Sequence, residues 1–414
     1  MAKIMLAWEA GSFLGHEALV TASAVMLHHA GHEVVVCPPA DVPPNEAAQR
    51  EGIAWQPVSR APGHFAPSVP ARWRSRATAL WAFGMHSSAH TADRFHAWTA
   101  LLHRERPDVA VLQAAPYAQL AVRHAGVPSL EFGIGFDVPP RVSPFPAFRH
   151  GGAFDLNVAL ALERTMVENV RRVCPVPEGT PLHALVSGDR RLVVSAAELD
   201  HYGGHEDSTR HFCGPLPLLD WGSCEVVWKA TRPRVLAYVQ ASAIDPAEFL
   251  KAAGQLQGDV VVICADADGL VRTLAEEYGV RLFAPPISVR ELLPSADLVI
   301  CHGGGMIVEA LVRGRRCLAL PIHHEQAMTA SRLAGLRLAG HLGPRQATHY
   351  AGAMRRLLAD RALVGRLGEF EKRHRHMATR SVESFVAAVA SLVAGARPGP
   401  EGAHWQRGGS SGGH

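Results

Sequence analysis

Two stretches of the chain carry residue types suited to chemistry, and they lie far apart in sequence. In the second half, the apolar run Asp297-Leu-Val-Ile-Cys301 leads into His302-Gly303-Gly304-Gly305, and a helical pattern containing Glu309-Ala310-Leu311 follows. Glycines directly after a strand let the backbone approach a phosphate closely. The free N–H groups and partial positive charge at the start of the next helix favour an anion there. Glu309 falls about one turn into that helix, where a carboxylate can accept from ribose hydroxyls. The run is equally compatible with a plain strand-to-helix turn. It is not a Walker loop, since no Gly-Lys-Ser/Thr follows, and the spacing Gly-x-Gly-x-x-Gly is missing. In the first half, Glu9-Ala-Gly-Ser-Phe-Leu-Gly-His16 sits between a strand and a helix. A neutral imidazole is the usual general base near neutral pH, which makes His16 the candidate base. A lone loop histidine is also commonly structural.

The elements around these stretches alternate. Lys3–Ala7 reads as a strand, His16–Ala30 as a helix stopped by Gly31, and Glu33–Cys37 as a strand. Val109–Leu112 and Pro128–Phe132 are further strands, separated by a helix near Tyr117–His124. Asp155–Val173 reads as a helix. The alternation restarts at Arg234–Val239 and continues through strands at Asp259–Cys264, Val280–Phe283, Asp297–Cys301 and Cys317–Leu320. The expected fold class is therefore α/β, two tandem Rossmann-like doubly wound domains. The expected division is 1–215, a linker at 216–233, a second domain at 234–380, a C-terminal helix at 381–396 and a disordered Gly/Ser/Pro-rich tail at 397–414. Such sheets bind ligands beyond the carboxyl ends of their strands, where both His16 and the glycine run fall. The Pro/Gly-rich segments 61–70 and 133–152 are long enough to be ligand-binding loops.

Composition narrows the classes. The chain has 414 residues, 48% hydrophobic and 19% charged, with a formal net charge of +3, which is a globular balance. Lys and Arg are spread out, so no nucleic-acid stripe is expected. Arg72, Arg74 and Arg76 read as one solvated helix face. The 24 histidines form no His-Glu-x-x-His arrangement, and no metal site is expected. Seven irregularly spaced cysteines argue against a disulfide framework. No signal peptide and no apolar run near the ~20 residues of a membrane helix are visible, so a cytoplasmic protein without a membrane span is expected. The aromatic stretch Trp73, Trp81, Phe83, Phe95 and Trp98 reads either as an apolar acceptor pocket or as a packed amphipathic helix.

Residues 281–332, with Arg-Leu-Phe283-Ala-Pro-Pro286, His302-Gly-Gly-Gly305, Glu309-Ala and His-His-Glu325-Gln326, resemble the donor-binding signature of glycosyltransferase family 1. This group is similar to bacterial antibiotic, macrolide and flavonoid glycosyltransferases. Gly15-His16 resembles the family's Gly-His motif. The resemblance implies a GT-B arrangement, two domains facing a cleft. It implies an inverting, metal-independent sugar transfer from a UDP- or dTDP-linked donor to a small acceptor, with no cofactor besides that co-substrate. By the same resemblance, His302, Gly303, Gly304, Gly305 and Ser242 would hold the diphosphate, Glu309 the ribose, Phe283 the base, and Glu325 with Gln326 the sugar. His16 would be the catalytic base.

Several positions depart from the pattern. Met306 stands where Ser or Thr is common, Pro286 where Gln is usual, Ala241 where Gly is usual, and Leu19 where Pro is frequent. The largest departure is Gln113, at the place of the Asp that orients the family's His and offsets its charge. Three readings follow: another acid such as Asp93 or Asp137 substitutes, the acceptor needs only a weak base, or transfer activity is lost. The alternatives to a transferase are a nucleotide-sugar-binding protein that assists a partner enzyme, and a nucleotide-sugar epimerase or hydrolase. Nothing in the residues indicates an oligomeric state.

Overall fold

A computed structural model describes residues 1–11, 14–58, 74–150, 153–203, 207–217, 226–229, 232–284, 287–343 and 349–395. The first sheet contains β1 (Lys3–Trp8), β2 (Glu33–Cys37), β3 (Ala54–Trp55), β4 (Val109–Gln113), β5 (Ser129–Gly133), β6 (Arg190–Val193) and β7 (Arg210–Phe212). The second contains β8 (Arg234–Tyr238), β9 (Asp259–Ile263), β10 (Arg281–Phe283), β11 (Leu298–Cys301), β12 (Arg316–Ala319) and β13 (Gly340–His341). Pairing is parallel throughout both sheets.

The central strands are apolar on both faces because helices cover both. In β1, Met5 and Ala7 join one core cluster, and Ile4, Leu6 and Trp8 join another. In β8, Val235 and Ala237 face one way and Leu236 the other. Near-continuous apolar runs are what a doubly covered parallel sheet requires.

The strand orders are β3-β2-β1-β4-β5-β6-β7 and β10-β9-β8-β11-β12-β13. Each order reverses direction once, between β1 and β4 in the first sheet and between β8 and β11 in the second. The crevices at these switch points are where open α/β sheets take ligands. Trp8 is paired with Gln113 across the first, and Tyr238 with Cys301 across the second.

Strands β3, β6, β7 and β13 have no counterpart in the sequence reading. Two of them are two residues long, below any periodicity. The strand β6 opens with Arg190-Arg191, a polar start that hides a buried element. The Arg191 guanidinium is fully buried between Glu131 at 2.9 Å and Asp207 at 2.7 Å. A paired and hydrogen-bonded charge can sit in a core where a lone one cannot.

The last helix, Met377–Gly395, begins about one turn earlier than expected. It returns to the first sheet, where Phe385, Val389 and Leu392 join the core of β1 and β4. By length and composition alone, Arg361–Gly395 would suffice to cross a membrane. This corrects the expectation that no segment comes near a span; of the last helix, Ser381, Phe385, Val389 and Leu392 are buried. Six cysteines lie among the described residues, all buried and unpaired. The loop 61–70 and the tail 397–414, expected to be a ligand loop and disordered respectively, lie outside the described residues.

Candidate active site

A cleft lies between the carboxyl ends of the two sheets. From the first sheet's side it is lined by His16, Leu19, Gln113, Ile134, Asp137, Val194 and Leu216. From the second side it is lined by Tyr238, Gln240, Ile287, His302–Met306, Glu325 and Gln326, among others.

His16 stands in the first turn of the helix Leu14–His29, which begins soon after β1 ends. Its ring stacks on Trp8, the last residue of β1, with centroids 5.8 Å apart and planes 14° from parallel. Its Nδ1 is 3.0 Å from Gln113 Oε1, at the end of β4. An amide oxygen only accepts, so Nδ1 is the donor, and in the neutral ring Nε2 is then the acceptor. Among the described residues Nε2 has no hydrogen-bond partner. Gly11, at φ +94°, lies against the same edge of the ring, where an added Cβ would come within 2.2 Å of Nε2. The loop after β1 therefore needs glycine twice over, for its left-handed backbone and for the space.

The far end of Gln113 meets a buried acid. Its Nε2 donates to Asp137 Oδ2 at 3.4 Å. Burial pushes the Asp137 carboxyl above its ordinary range, against the opposing pull of His16 and Arg76. Arg76 Nη1 is 3.9 Å from Asp137 Oδ1, and its guanidinium lies over the Phe136 ring. Arg76 is buried, which corrects the reading of a solvated arginine face; Arg72 lies outside the described residues. Of the two acids weighed as substitutes, Asp137 is in place and Asp93 is exposed on the helix Ser88–Glu105.

The glycine run occupies the second switch point. β11 ends at Cys301, and the helix Gly305–Val312 follows with Gly304 as its N-cap, so the amides at its start are unpaired within the helix. Gly303 and Gly304 have φ +143° and +69°, backbone that glycine adopts without strain. The His302 side chain is pinned at both nitrogens. Nε2 accepts from the Gln240 amide at 2.8 Å, and Nδ1 donates to the Leu320 carbonyl at 2.7 Å. Burial pushes its pKa down, partly offset by the Leu320 bond. A phosphate reaches this ring only by displacing one of the two backbone groups.

Glu325 and Gln326 open the helix His324–Gly335 and face the cleft. Glu325 Oε1 accepts from Thr329 at 2.9 Å and lies 3.1 Å from His201 Nε2, which reaches across from the first sheet's side. Burial would raise the Glu325 carboxyl, but the bonds from His201 and Thr329 and the charges of His201 and His323 together outweigh it and hold it low. Gln326 Oε1 accepts from the Ile322 amide at 2.9 Å, which leaves its NH2 free to donate.

Three expected contacts are not on the cleft wall. The Ser242 hydroxyl donates to Asp266 at 2.7 Å, and the amides of Ala241 and Ser242 donate to the same carboxylate. Burial alone would raise the Asp266 carboxyl; these bonds outweigh it and keep it well below the usual carboxylate range. Asp266 thus fills the anion position that Ser242 was expected to offer a phosphate. Glu309 is buried beside Arg313, with 3.1 Å between the charges. Phe283 is half-buried under the guanidinium of Arg281. An apolar part of the cleft wall is built instead from Tyr238, Ile263, Ala284, Ile287 and Val289, which sequence reasoning missed, together with Met306. They sit at or just past strand ends, where nothing but the strand order brings them together.

The aromatic stretch belongs to the core. Phe95 and Trp98 are buried beneath the first sheet, with Trp81 and Phe83 packed against them. Trp98 donates to Glu9, as does Arg94 at 2.9 Å, and Glu9 also caps the helix Pro116–His124 through the amides of Tyr117 and Ala118. Trp73 lies outside the described residues, as do Pro285 and Pro286. Among the described residues no group of three or more His, Cys, Asp or Glu side chains is arranged to hold a metal.

No protein-family model matches the chain. No curated protein matches it by sequence. Solved structures match it over nearly its whole length. The glycosyltransferase VinC in complex with dTDP superposes with a TM-score of 0.64 at 17% identity, covering 95% of this chain and 99% of that one. Spinosyn rhamnosyltransferase SpnG complexed with spinosyn aglycone gives 0.64 at 16% identity, covering 95% and 100%. The glycosyltransferase SnogD from Streptomyces nogalater gives 0.63 at 19% identity, covering 94% and 99%. At these identities the likeness is one of fold. The two-sheet α/β architecture is the GT-B arrangement that these glycosyltransferases share.

Proposed function

We propose that this chain is an inverting glycosyltransferase that moves a sugar from a UDP- or dTDP-linked donor to a hydroxyl of a small molecule, with His16 as general base. One observation carries the reading: the free Nε2 edge of His16 and the open helix start at Gly303–Gly305 line the same cleft from opposite sheets. The neighbours crystallised with dTDP and with an aglycone support it at the level of fold.

In this reading the acceptor hydroxyl gives its proton to His16 Nε2 as its oxygen bonds to the sugar's anomeric carbon. The bond from that carbon to the diphosphate oxygen breaks, and the leaving nucleoside diphosphate keeps the electron pair. Attack from the face opposite the leaving group inverts the carbon. The amides of Gly303–Gly305 and the helix dipole stabilise the charge that develops on the diphosphate. No metal is asked for. His302 holds the β8 and β12 loops in register around that anion, and Ser242 stays with Asp266.

The base lies against Tyr238, Ile263 and Ile287, in place of the stacking once expected of Phe283. The Glu309 carboxylate takes the ribose only if it leaves Arg313. Gln326 Nε2 and the second oxygen of Glu325 face the sugar hydroxyls. The cleft's two buried carboxylates, Asp137 and Glu325, are each committed to other side chains, which favours transfer over epimerase or hydrolase chemistry.

The test is release of nucleoside diphosphate from UDP-glucose, UDP-N-acetylglucosamine and dTDP-linked sugars, with a panel of small hydroxylated acceptors. Expected is acceptor-stimulated release with at least one donor, reduced about 10²–10⁴-fold in His16→Ala. Release that ignores the acceptor would point to hydrolysis. No release with any donor would overturn the reading.

A further inference from the structure

We propose that Asp137 is the positioning residue of the base: through Gln113 it fixes which imidazole nitrogen of His16 is left free. The inference rests on His16 being the base, and it concerns this chain's own arrangement at a position where a direct carboxylate was expected.

A glutamine amide has two ends of nearly equal size and opposite hydrogen-bonding character. Beside His16 alone it can sit either way round. With Oε1 toward Nδ1, the ring carries its proton on Nδ1 and offers Nε2. With NH2 toward Nδ1, the proton moves to Nε2 and the base is closed. Asp137 breaks the tie. When ionised, its carboxylate only accepts, so Gln113 turns its NH2 toward Oδ2, which leaves Oε1 for His16 at 3.0 Å. The reverse orientation would set two acceptor oxygens against each other in a buried place, which costs free energy.

The surroundings hold Asp137 to this task. It sits in the turn after β5, with its amide donating to the Ile134 carbonyl at 2.9 Å. Gly133 leaves it room: a Cβ there would lie 2.8 Å from the Asp137 Cβ. The charged and titratable groups facing it are His16, Arg76, His201 and, from the opposite side of the cleft, Glu325. When His16 takes the acceptor proton, the imidazolium donates from Nδ1 to Gln113 Oε1, and the polarised amide donates more strongly to Asp137. No proton crosses the amide.

The test reads the tautomer of His16 directly, by side-chain ¹⁵N NMR of histidine-labelled protein with His16→Ala as the assignment control. Wild type is expected to carry the proton on Nδ1. In Asp137→Asn both tautomers, or the Nε2-protonated one, are expected. This arm needs no turnover, so it stands even where the transferase reading fails. The kinetic arm is a cycle with Gln113→Glu, whose introduced carboxylate has no end to choose. Asp137→Asn is expected to lower kcat by about 10- to 100-fold in the native background, with donor KM unchanged, and to cost nothing in the Gln113→Glu background. An unchanged tautomer in Asp137→Asn, or an equal loss in both backgrounds, would overturn the proposal. So would loss of the fold in both the single and the double variant, judged by the thermal shift with dTDP or UDP, because Asp137 would then be purely structural.

Discussion

Each sheet carries a histidine at its switch point, and each histidine is met by a glutamine from the neighbouring strand end. At the first, the Gln113 side chain takes Nδ1 of His16 and leaves Nε2 unpaired among the described residues. At the second, the Gln240 main-chain amide takes Nε2 of His302, and the Leu320 carbonyl takes Nδ1. The same two residue types, with their places exchanged between the paired strands, thus give a ring open to chemistry and a ring that ties two loops together. What separates them is whether a backbone group has claimed the second nitrogen, a fact of tertiary structure alone.

The contrast is broken most severely at the first pair by Gly11→Ala. The new methyl would need the space of the imidazole and a backbone at φ +94°. The loop and the ring must separate, so turnover is expected to fall by about 10²-fold, with nucleoside diphosphate affinity unchanged. An unaffected turnover would mean that the His16 pose does not matter.

The second pair is tested by stability. His302→Ala leaves the Gln240 amide and the Leu320 carbonyl without partners and opens a cavity, for an expected loss of about 2–4 kcal/mol in denaturant titration. The pH dependence has a definite sign. The folded pKa of His302 lies below its unfolded value, so the neutral ring is the native form. Its stabilisation is fully present above about pH 6.5 and is lost as pH falls through the lower folded value. The difference between wild type and His302→Ala is therefore expected to shrink on acidification; a difference that grows would show the ring to be charged in the fold. The smallest effect belongs to Ser242→Ala. With its hydroxyl given to Asp266, the variant is expected to bind nucleoside diphosphate within about twofold of wild type. A tenfold loss would put Ser242 back on the phosphate.

The near-continuous apolar runs of β1, β8 and β11 made the two sheets legible, because strands buried on both faces need such runs. So was the glycine run, which must bend backbone at a strand end; that position 113 stands beside His16 was implied only by the family resemblance. The rest was hidden by partners distant in sequence. Arg76 reads as a surface charge until Asp137 and Phe136 are beside it. Ser242 reads as a phosphate ligand until Asp266 is seen on its amides. The aromatic residues near Trp98 read either as a pocket or as a packed helix until Glu9 shows that they close a core. The strand β6 is masked by Arg191, whose charge is tolerable only between Glu131 and Asp207.

The account turns on the second sheet taking the donor's diphosphate at Gly303–Gly305. Titration calorimetry of UDP- and dTDP-sugars against wild type and against Gly305→Asp, whose carboxylate would stand at the open helix start where the anion belongs, tests this most directly. The account predicts a single site for at least one donor, competed by the matching nucleoside diphosphate, weakened at least tenfold in the variant and unchanged in His16→Ala. Absence of binding for every donor, or equal binding in the folded variant, would contradict it and leave the glycine run as a plain turn.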